Sequence, residues 1–216
     1  MYIVFEGIVG VGKTTLSKKL YSYLKEKYPA KEVVWTCEPG GTEIAQKIRE
    51  CVQGTHYKEE MDSICEAYLY AASRAQSLRV VVKPIIEKGG IVIADRSFVS
   101  AFANEGYGRG DGVQRIFRIN KTAIGNTYPD LVVFLDQDPK LAISRVSDTE
   151  GDKFEKYGLD FYNILHNGYK KISKMKMFKG KWVNVRVEKD SVEKNFKVLL
   201  KAIKPYMDKI KEPPFN

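Results

Sequence analysis

A glycine-rich segment near the N-terminus has the spacing of a phosphate-binding loop. Residues 7–14 read G-I-V-G-V-G-K-T, follow an apolar run and open an amphipathic segment, which matches G-x-x-x-x-G-K-[ST] in its expected context. Glycines let backbone N–H groups converge on a phosphate, and the start of a helix adds partial positive charge. The pattern predicts a nucleoside triphosphate site. Its residues are Gly7, Ile8, Val9, Gly10, Val11, Gly12, Lys13, Thr14 and Thr15.

Two side chains of this segment have the chemistry for phosphoryl transfer. The ammonium group of Lys13 would reach the β- and γ-phosphates of ATP, and the hydroxyl of Thr14 would help to hold Mg²⁺. The segment has no arginine between Gly7 and Lys13. An arginine that stabilises the transferred group must therefore come from another part of the chain.

The dipeptide Asp95-Arg96 ends another apolar run. A carboxylate at this place can orient Mg²⁺-bound water, and a guanidinium can bind a second phosphate through two hydrogen bonds. A structural ion pair is the alternative interpretation. We expect Asp95 to act at the metal and Arg96 to act on a phosphorylated acceptor.

Tyr70 and Arg74 are four residues apart on a helical pattern, so they share one face. An aromatic ring beside a guanidinium can stack on a base and hydrogen-bond it, although core packing by Tyr70 is an equal alternative. Arg49 is another single arginine on an apolar-patterned helix. By itself, each arginine is more simply interpreted as a surface residue.

Short apolar runs alternate with amphipathic segments along the chain. Strands are expected at residues 2–5, 32–36, 91–94, 131–135 and 182–187. Helices are expected at residues 13–27, 43–51, 58–87, 159–177 and 192–210; another follows the glycine-rich loop and ends near 124, and a short one starts near 139. Thr42 is the expected N-cap of the second helix, and Pro84 is expected to kink or break the third. The glycines between 106 and 112 indicate a loop, and residues 148–158 form a polar one.

This alternation predicts an α/β fold, in which a doubly wound five-stranded parallel sheet is flanked by helices. The 216 residues fit a single domain. Ligands of such sheets lie beyond the carboxyl ends of the strands. The segments 6–14, 37–42, 95–110 and 136–138 should therefore form the site.

The charge and composition of the chain limit the classes of partner and compartment that we expect. The net charge is +9, and residues 151–216 hold 16 basic and 8 acidic side chains. We interpret this excess as a solvated, lysine-rich face and not as a nucleic-acid surface, because interleaved arginines and aromatic residues are missing.

Three cysteines without C-x-x-C spacing indicate reduced thiols, and no apolar run approaches a membrane span or a signal peptide. A cytoplasmic location is expected.

Taken in order, these motifs resemble those of the thymidylate kinase family of P-loop kinases, which phosphorylate dTMP to dTDP. The resemblance covers nearly the whole chain, and the E-P-G-G-T loop with D-R-x-x-x-S makes it specific. The matching segments are F-E-G through Thr15, E-P-G-G-T at 38–42, I-R at 48–49, Y-x-x-x-R at 70–74, D-R-x-x-x-S at 95–100, Gly106, R-G at 109–110, P-D at 129–130, Asp136 and D-K-F-E at 152–155.

The resemblance implies roles for single residues. Arg49 and Arg96 would bind the acceptor phosphate, Tyr70 would stack on the base and Arg74 would hydrogen-bond it. Residues 148–158 would form a lid over ATP, and the family forms homodimers. The full acceptor set is Glu38, Pro39, Arg49, Tyr70, Arg74, Arg96, Ser100 and Glu105; the catalytic set is Lys13, Asp95, Arg96 and Arg145; the metal ligands are Thr14 and Asp95.

Several positions depart from the family pattern. Val9 replaces a usual acidic residue, Ala101 replaces a polar one, and Asn104 and Glu105 replace Tyr-Gln. Cys37 stands where arginine is usual. The lid has no arginine, and its basic residues are lysines at 153 and 156. Because discrimination depends on satisfied buried polar groups, we expect relaxed base specificity.

Two other functions fit part of the sequence. A deoxynucleoside kinase would share the fold and use Glu38 as a general base on a 5′-hydroxyl. A nucleic-acid-binding P-loop ATPase would use the basic C-terminal third. The E-P-G-G-T loop and Arg49 favour a phosphorylated acceptor over both.

Overall fold

A computed structural model describes residues 1–54, 57–145, 157–189 and 191–210. Five strands form one sheet: β1 (Tyr2–Glu6), β2 (Val33–Cys37), β3 (Ile91–Asp95), β4 (Leu131–Asp136) and β5 (Trp182–Arg186). Their order is β2-β3-β1-β4-β5, and every neighbouring pair is parallel. The predicted doubly wound α/β fold is confirmed.

The helices connect and cover these strands. They are α1 (Lys13–Lys27), α2 (Glu43–Gln53), α3 (Ser63–Ser77), α4 (Lys83–Glu87), α5 (Phe98–Ala101), α6 (Val113–Ile124), α7 (Pro139–Ile143), α8 (Leu159–Ile172) and α9 (Val192–Met207). Two π-helical turns (Leu78–Val82 and Phe102–Gly108) and a 3₁₀ turn (Lys176–Phe178) also lie within the described residues. In the described part of the chain, no helix has the length and apolar character to cross a membrane.

The central strands are apolar because helices cover both of their faces. All residues of β1 and β3 are buried, and so are the first five of β4. These strands read as continuous apolar runs, which is typical of parallel sheets. Because helical crossovers connect the strands and every neighbouring pair is parallel, the carboxyl ends of the strands lie together at one edge.

The long helix expected at residues 58–87 is different in the structure. It begins at Ser63, because the side chain of Asp62 accepts hydrogen bonds from the backbone N–H groups of Ile64 and Cys65 at 2.9 and 3.1 Å. Pro84 neither breaks nor ends it. The wider turn of Leu78–Val82 comes directly before α4, and such a turn accommodates a residue that lacks a backbone N–H.

The loop expected from the glycines at 106–112 is partly helical. Gly106 and Gly108 belong to the turn Phe102–Gly108, which continues α5. A Cβ atom at Gly108 would lie 2.7 Å from Leu165 and 2.8 Å from Phe161. Glycine is therefore needed there because α8 packs closely against the turn.

The other helix bounds differ in part. Thr42 caps α2 as expected, by accepting from the N–H of Ala45 at 3.1 Å. Helix α8 ends at Ile172 and α9 ends at Met207, so both are shorter than expected. Residues 148–156 of the expected lid lie outside the described residues, so the lid and the single-domain organisation stay predictions.

Candidate nucleotide-binding site

The glycine-rich loop joins β1 to α1 at the carboxyl edge of the sheet. Gly10 and Gly12 have φ values of 78° and 90°, a region that favours glycine. Gly7 has φ 144°, and a Cβ atom there would lie 2.9 Å from the carbonyl oxygen of Leu135. The glycines therefore let the loop turn tightly against β4 and direct its backbone into the start of α1.

Lys13 is the first residue of α1 and is buried. Its Nζ donates to the carbonyl oxygen of Ile8 at 2.7 Å, so the side chain folds back over the loop. Burial, together with the positive charge of Arg96, lowers the pKa of Lys13 to about 7. A phosphate bound in the loop would restore the charge of this ammonium group.

Thr14 and Asp95 meet across the strand ends. The Thr14 hydroxyl donates a short hydrogen bond to Oδ2 of Asp95. The other carboxylate oxygen, Oδ1, is buried and has no hydrogen-bonding partner among the described residues. A hydroxyl and a carboxylate with an unpartnered oxygen form a donor set of the kind that Mg²⁺ prefers, so these residues fit the expected metal.

Arg96 has an unusual backbone for a side chain of its size, with φ 76°. Its Nη1 donates to the carbonyl oxygen of Gly7 at 3.2 Å and to Oγ of Ser100 at 3.0 Å. The strained backbone turns the guanidinium back from the end of β3 toward the glycine-rich loop. Lys13 and Arg96 thus place two positive groups at one point.

A buried carboxylate lies beneath Arg96. Glu6, at the end of β1, is 0% exposed and accepts from the hydroxyls of Ser97, Ser100 and Tyr169 at 2.7, 2.6 and 3.1 Å. Burial raises the pKa of Glu6, which these donors and Arg96 oppose. The sequence assigned no role to Glu6 or Tyr169.

The loop, the strand ends and α9 enclose a cavity of about 640 Å³. Arg145 lies on its wall, where Nη1 donates to the carbonyl oxygen of Gly10 at 2.9 Å and Nη2 to that of Glu188 at 3.3 Å. Of the expected residues, those that line this cavity are Val9, Gly10, Val11, Gly12, Lys13, Thr14, Thr15, Glu38, Pro39, Arg49, Asp95, Arg96 and Arg145.

The segment after β2 brings Arg49 to the cavity. Nη1 of Arg49 donates to the carbonyl oxygen of Pro39 at 2.9 Å, and the Glu38–Pro39 peptide bond is cis. Arg49 and Arg96 line the same cavity, although they lie on different elements. The structure thus brings together the two arginines that were expected to bind one phosphate.

A second, inner cavity of about 70 Å³ lies beyond Arg96. It shares Val9, Glu38, Pro39, Gln53 and Arg96 with the large cavity, so the two are contiguous. Its other expected residues are Ile8, Tyr70, Arg74, Ser100 and Glu105, and Ala101 and Asn104 also line it. The residues expected for the base therefore lie together, next to those expected for the acceptor phosphate.

Arg74 is held in a fixed position at this inner cavity. Its Nε lies 2.7 Å from Oε2 of Glu38, and its Nη1 donates a short hydrogen bond to the side-chain oxygen of Asn120. Burial raises the pKa of Glu38, which Arg74 opposes. Asn120 was not foreseen from the sequence.

Glu105 is 1% exposed and lines the inner cavity. Burial raises its pKa to about 8, and the nearby carboxylate of Glu66 adds to this shift. Its Oε2 has no hydrogen-bonding partner in the described part of the chain. At neutral pH this side chain is mostly an uncharged acid, which can donate a hydrogen bond.

Sequence reasoning missed the residues that act from behind the cavities. Of the expected set, only Gly7 lines neither cavity, and its carbonyl oxygen instead accepts from Arg96. Glu6 left a signal, because it is an acidic residue that ends an apolar strand. Tyr169 and Asn120 left none that spacing could reveal.

Comparison with known proteins identifies the family. The family model described as thymidylate kinase matches residues 5–197. A thymidylate kinase of Caldicellulosiruptor saccharolyticus is 38% identical over 209 residues, which are 96% of this chain and 98% of that protein. A thymidylate kinase of Finegoldia magna is 42% identical over 173 residues, with coverages of 80% and 84%.

A solved structure agrees with these matches. The crystal structure of thymidylate kinase from Ehrlichia chaffeensis superposes with a TM-score of 0.75 at 29% identity, covering 94% of this chain and 98% of that one. Sequence and fold therefore match over nearly the same length. The chain belongs to the thymidylate kinase family.

Proposed function

We propose that the protein transfers the γ-phosphoryl group of ATP to dTMP and produces dTDP. The observation that carries this proposal is the contiguity of the two cavities. A phosphate-binding loop lines one, the base-binding candidates line the other, and Arg96 and Glu38 lie on both. This arrangement suits a donor phosphate and an acceptor phosphate that must meet in line.

On the donor side, the backbone of the glycine-rich loop and Lys13 would hold the phosphates of ATP. Lys13 is pre-positioned by its hydrogen bond to Ile8, and its pKa of about 7 means that it carries only part of its charge at neutral pH. Phosphate binding would favour the charged ammonium, which then stabilises the charge of the transferred group. Arg96 and Arg145 are the other cationic groups on the wall of this cavity that we assign to catalysis.

Mg²⁺ would be held by Thr14 and Asp95. When bound, it would neutralise charge on the phosphate oxygens. The hydroxyl of Thr14 donates to Asp95, so the two candidate ligands lie side by side. The carboxylate oxygen of Asp95 that lacks a partner among the described residues is the group left to orient a ligand.

On the acceptor side, Arg49 and Arg96 would bind the monophosphate of dTMP. Tyr70 would stack on the base and Arg74 would hydrogen-bond it, while Glu38 keeps Arg74 in place. Ala101 cannot hydrogen-bond a base, and Asn104 is smaller than a tyrosine. We therefore propose that dTMP is the preferred acceptor and that other bases are rejected less strictly.

The position of Glu38 weighs against a deoxynucleoside kinase. A general base must be within reach of the hydroxyl and free to take its proton. One carboxylate oxygen of Glu38 binds Arg74 at 2.7 Å, and the other accepts from the Tyr2 hydroxyl at 3.5 Å. The comparisons do not favour a nucleic-acid-binding ATPase either, since the matches are to kinases over most of the chain.

We further propose that the protein is a cytoplasmic homodimer. The thiols of Cys37, Cys51 and Cys65 are all unpaired, which agrees with a reducing compartment. Ile44 on α2 and Tyr68 on α3 are 58% and 60% exposed, and such apolar side chains support an interface on this face. Sedimentation of the native protein and of Tyr68→Glu tests this, since only the native protein should sediment as a dimer.

An acceptor screen tests the proposed reaction. dTMP, dUMP, dGMP, dCMP, dAMP, UMP and thymidine are each supplied with ATP and Mg²⁺, and transfer of the labelled γ-phosphate is measured. The expected result is the highest kcat/KM with dTMP and no transfer to thymidine. Transfer to thymidine and none to dTMP would show that the deoxynucleoside kinase is the correct function.

A further inference from the structure

A chain of hydrogen bonds begins at the hydroxyl of Tyr169 and ends at Arg96. The Tyr169 side chain is 0% exposed, and its oxygen lies 3.1 Å from Oε2 of Glu6 and 3.2 Å from Oγ of Ser100. Ser100 in turn accepts from Nη1 of Arg96 at 3.0 Å. Helix α8, which carries Tyr169, is thus connected to the guanidinium although it does not contact it through this residue.

The geometry around Glu6 sets the direction of each hydrogen bond, because three hydroxyl groups donate to its carboxyl oxygens. A serine hydroxyl has one proton, and that of Ser100 is donated to Oε2 of Glu6 at 2.6 Å. The oxygen of Ser100 therefore presents its lone pairs to Arg96. Tyr169 donates to the same carboxylate oxygen and so stabilises the acceptor that orients Ser100.

The pKa of Glu6 shows how much this carboxylate depends on its donors. Burial raises the pKa of Glu6, whereas Ser100, Arg96, Ser97 and Tyr169 lower it. Each donor favours the ionised form, and loss of one donor shifts the balance toward the protonated form. A protonated Glu6 would compete with Ser100 for its role as donor and weaken its acceptor contact with Arg96.

We propose that Tyr169 is a positioning residue, whose hydroxyl acts through Glu6 and Ser100 to hold the Arg96 guanidinium in place for the acceptor phosphate. The proposal rests on the assignment of Arg96 to the acceptor phosphate. Helix α8 also supplies Tyr162 and Leu165 to the inner cavity. One helix would thus shape the cavity for the base and fix the arginine for the phosphate.

The test measures binding and not turnover, so that it does not depend on the proposed reaction. dTMP and thymidine are titrated calorimetrically into the native protein and into Tyr169→Phe, which removes the hydroxyl and keeps the ring. Because thymidine lacks the phosphate, the ratio of the Kd for thymidine to the Kd for dTMP reports on the phosphate contact alone. We expect this ratio to fall about three- to tenfold in the variant, the equivalent of one hydrogen bond.

Three further variants separate positioning from a general effect on folding. In the variant that combines Tyr169→Phe with Ser100→Ala, the loss should be no larger than in Ser100→Ala alone, because both changes interrupt one chain. The matched control is Tyr28→Phe, which removes the hydroxyl group from a buried tyrosine at the end of α1. It should leave the binding of both ligands unchanged.

Each outcome is decisive for Tyr169. Equal weakening of dTMP and thymidine would show a structural role only and would overturn the proposal, as would an unchanged ratio or additive losses in the double variant. A fall in the ratio with no phosphoryl transfer by the native protein would refute the proposed reaction and leave the positioning role standing. Steady-state kinetics add a further check, because the KM for dTMP should rise while that for ATP stays constant.

Discussion

The carboxylate of Glu38 lies 2.7 Å from Nε of Arg74, and both side chains are at most 5% exposed. Glu38 follows β2 and Arg74 lies on α3, so the pair joins two separate elements at the wall between the cavities. Breaking such a pair leaves an unpaired buried charge, which is costly. The pair therefore fixes the plane of the guanidinium that we propose to hydrogen-bond the base.

Replacement of Lys13 by alanine should abolish phosphoryl transfer and leave the fold intact. The reaction depends on positioning and on neutralising charge at the phosphates, and this ammonium group supplies both. The measurement is initial velocity with saturating dTMP and ATP, together with the melting temperature. Lys25→Ala, a change on the exposed side of the same helix, is the control and should be as active as the native protein.

Lys13→Ala should also remove a proton uptake. At about pH 8 the native lysine, with a pKa of about 7, is mostly neutral, and bound phosphates would protonate it. Calorimetry of ATP binding in buffers with different ionisation enthalpies measures this uptake. Identical proton uptake in the native protein and the variant would assign it to another group.

Replacement of Arg96 by alanine should raise the KM for dTMP and lower kcat, with little change in ATP binding. A guanidinium that binds a phosphate through two hydrogen bonds contributes to both affinity and orientation, so kcat/KM should fall by about a hundredfold or more. Steady-state kinetics with each substrate varied in turn provide the measurement. If only the affinity for ATP decreased, Arg96 would belong to the donor side.

Restoring the polar residues of the family should sharpen base selection. Ala101→Ser adds a hydrogen-bonding group to the inner cavity, and Asn104→Tyr reduces the room beside it. The discrimination between dTMP and either dGMP or UMP should increase by roughly 1–3 kcal/mol in the double variant. The comparison is kcat/KM for the three acceptors.

A native protein whose kcat/KM for dTMP already exceeds those for dGMP and UMP by about 10⁴ would contradict the proposal of relaxed base selection. Other residues would then perform the selection, and Arg74 and Glu105 are the candidates at the inner cavity. Single substitutions at those two positions would identify which one does so.

Replacement of Glu105 by glutamine should change how stability depends on pH. The unfolded chain releases this proton near the ordinary pKa of 4.5, whereas the folded chain keeps it to about 8. Between these values the folded protein binds more protons, so its stability falls as the pH rises. Glutamine removes this loss, and the variant should gain stability relative to the native protein from about pH 5 to pH 8, on the order of a few kcal/mol.

Urea unfolding at several pH values measures this difference. Glu60→Gln, at an exposed position, is the control and should follow the native profile. Parallel profiles for Glu105→Gln and the native protein would mean that Glu105 is ionised in the folded state.

Local pattern was sufficient for most of the fold and for the residues that face the ligands. The apolar runs of β1, β3 and β4 and the spacing of residues 7–14 are properties of neighbouring residues, so the parallel sheet and the phosphate-binding loop could be predicted. Helix bounds were less certain. The start of α3 depends on the cap at Asp62, and the connection from α3 to α4, which contains Pro84, depends on a π-helical turn that no periodicity indicates.

Only the tertiary structure decided which polar groups are buried together. Glu6 and Tyr169 are 163 residues apart in the sequence, and their hydrogen bond exists because α8 packs beside β1 and β4. The raised pKa of Glu105 and the lowered pKa of Lys13 likewise come from burial and from charges on other elements. Desolvation and long-range contacts act through space, and a linear pattern of residue types does not record them.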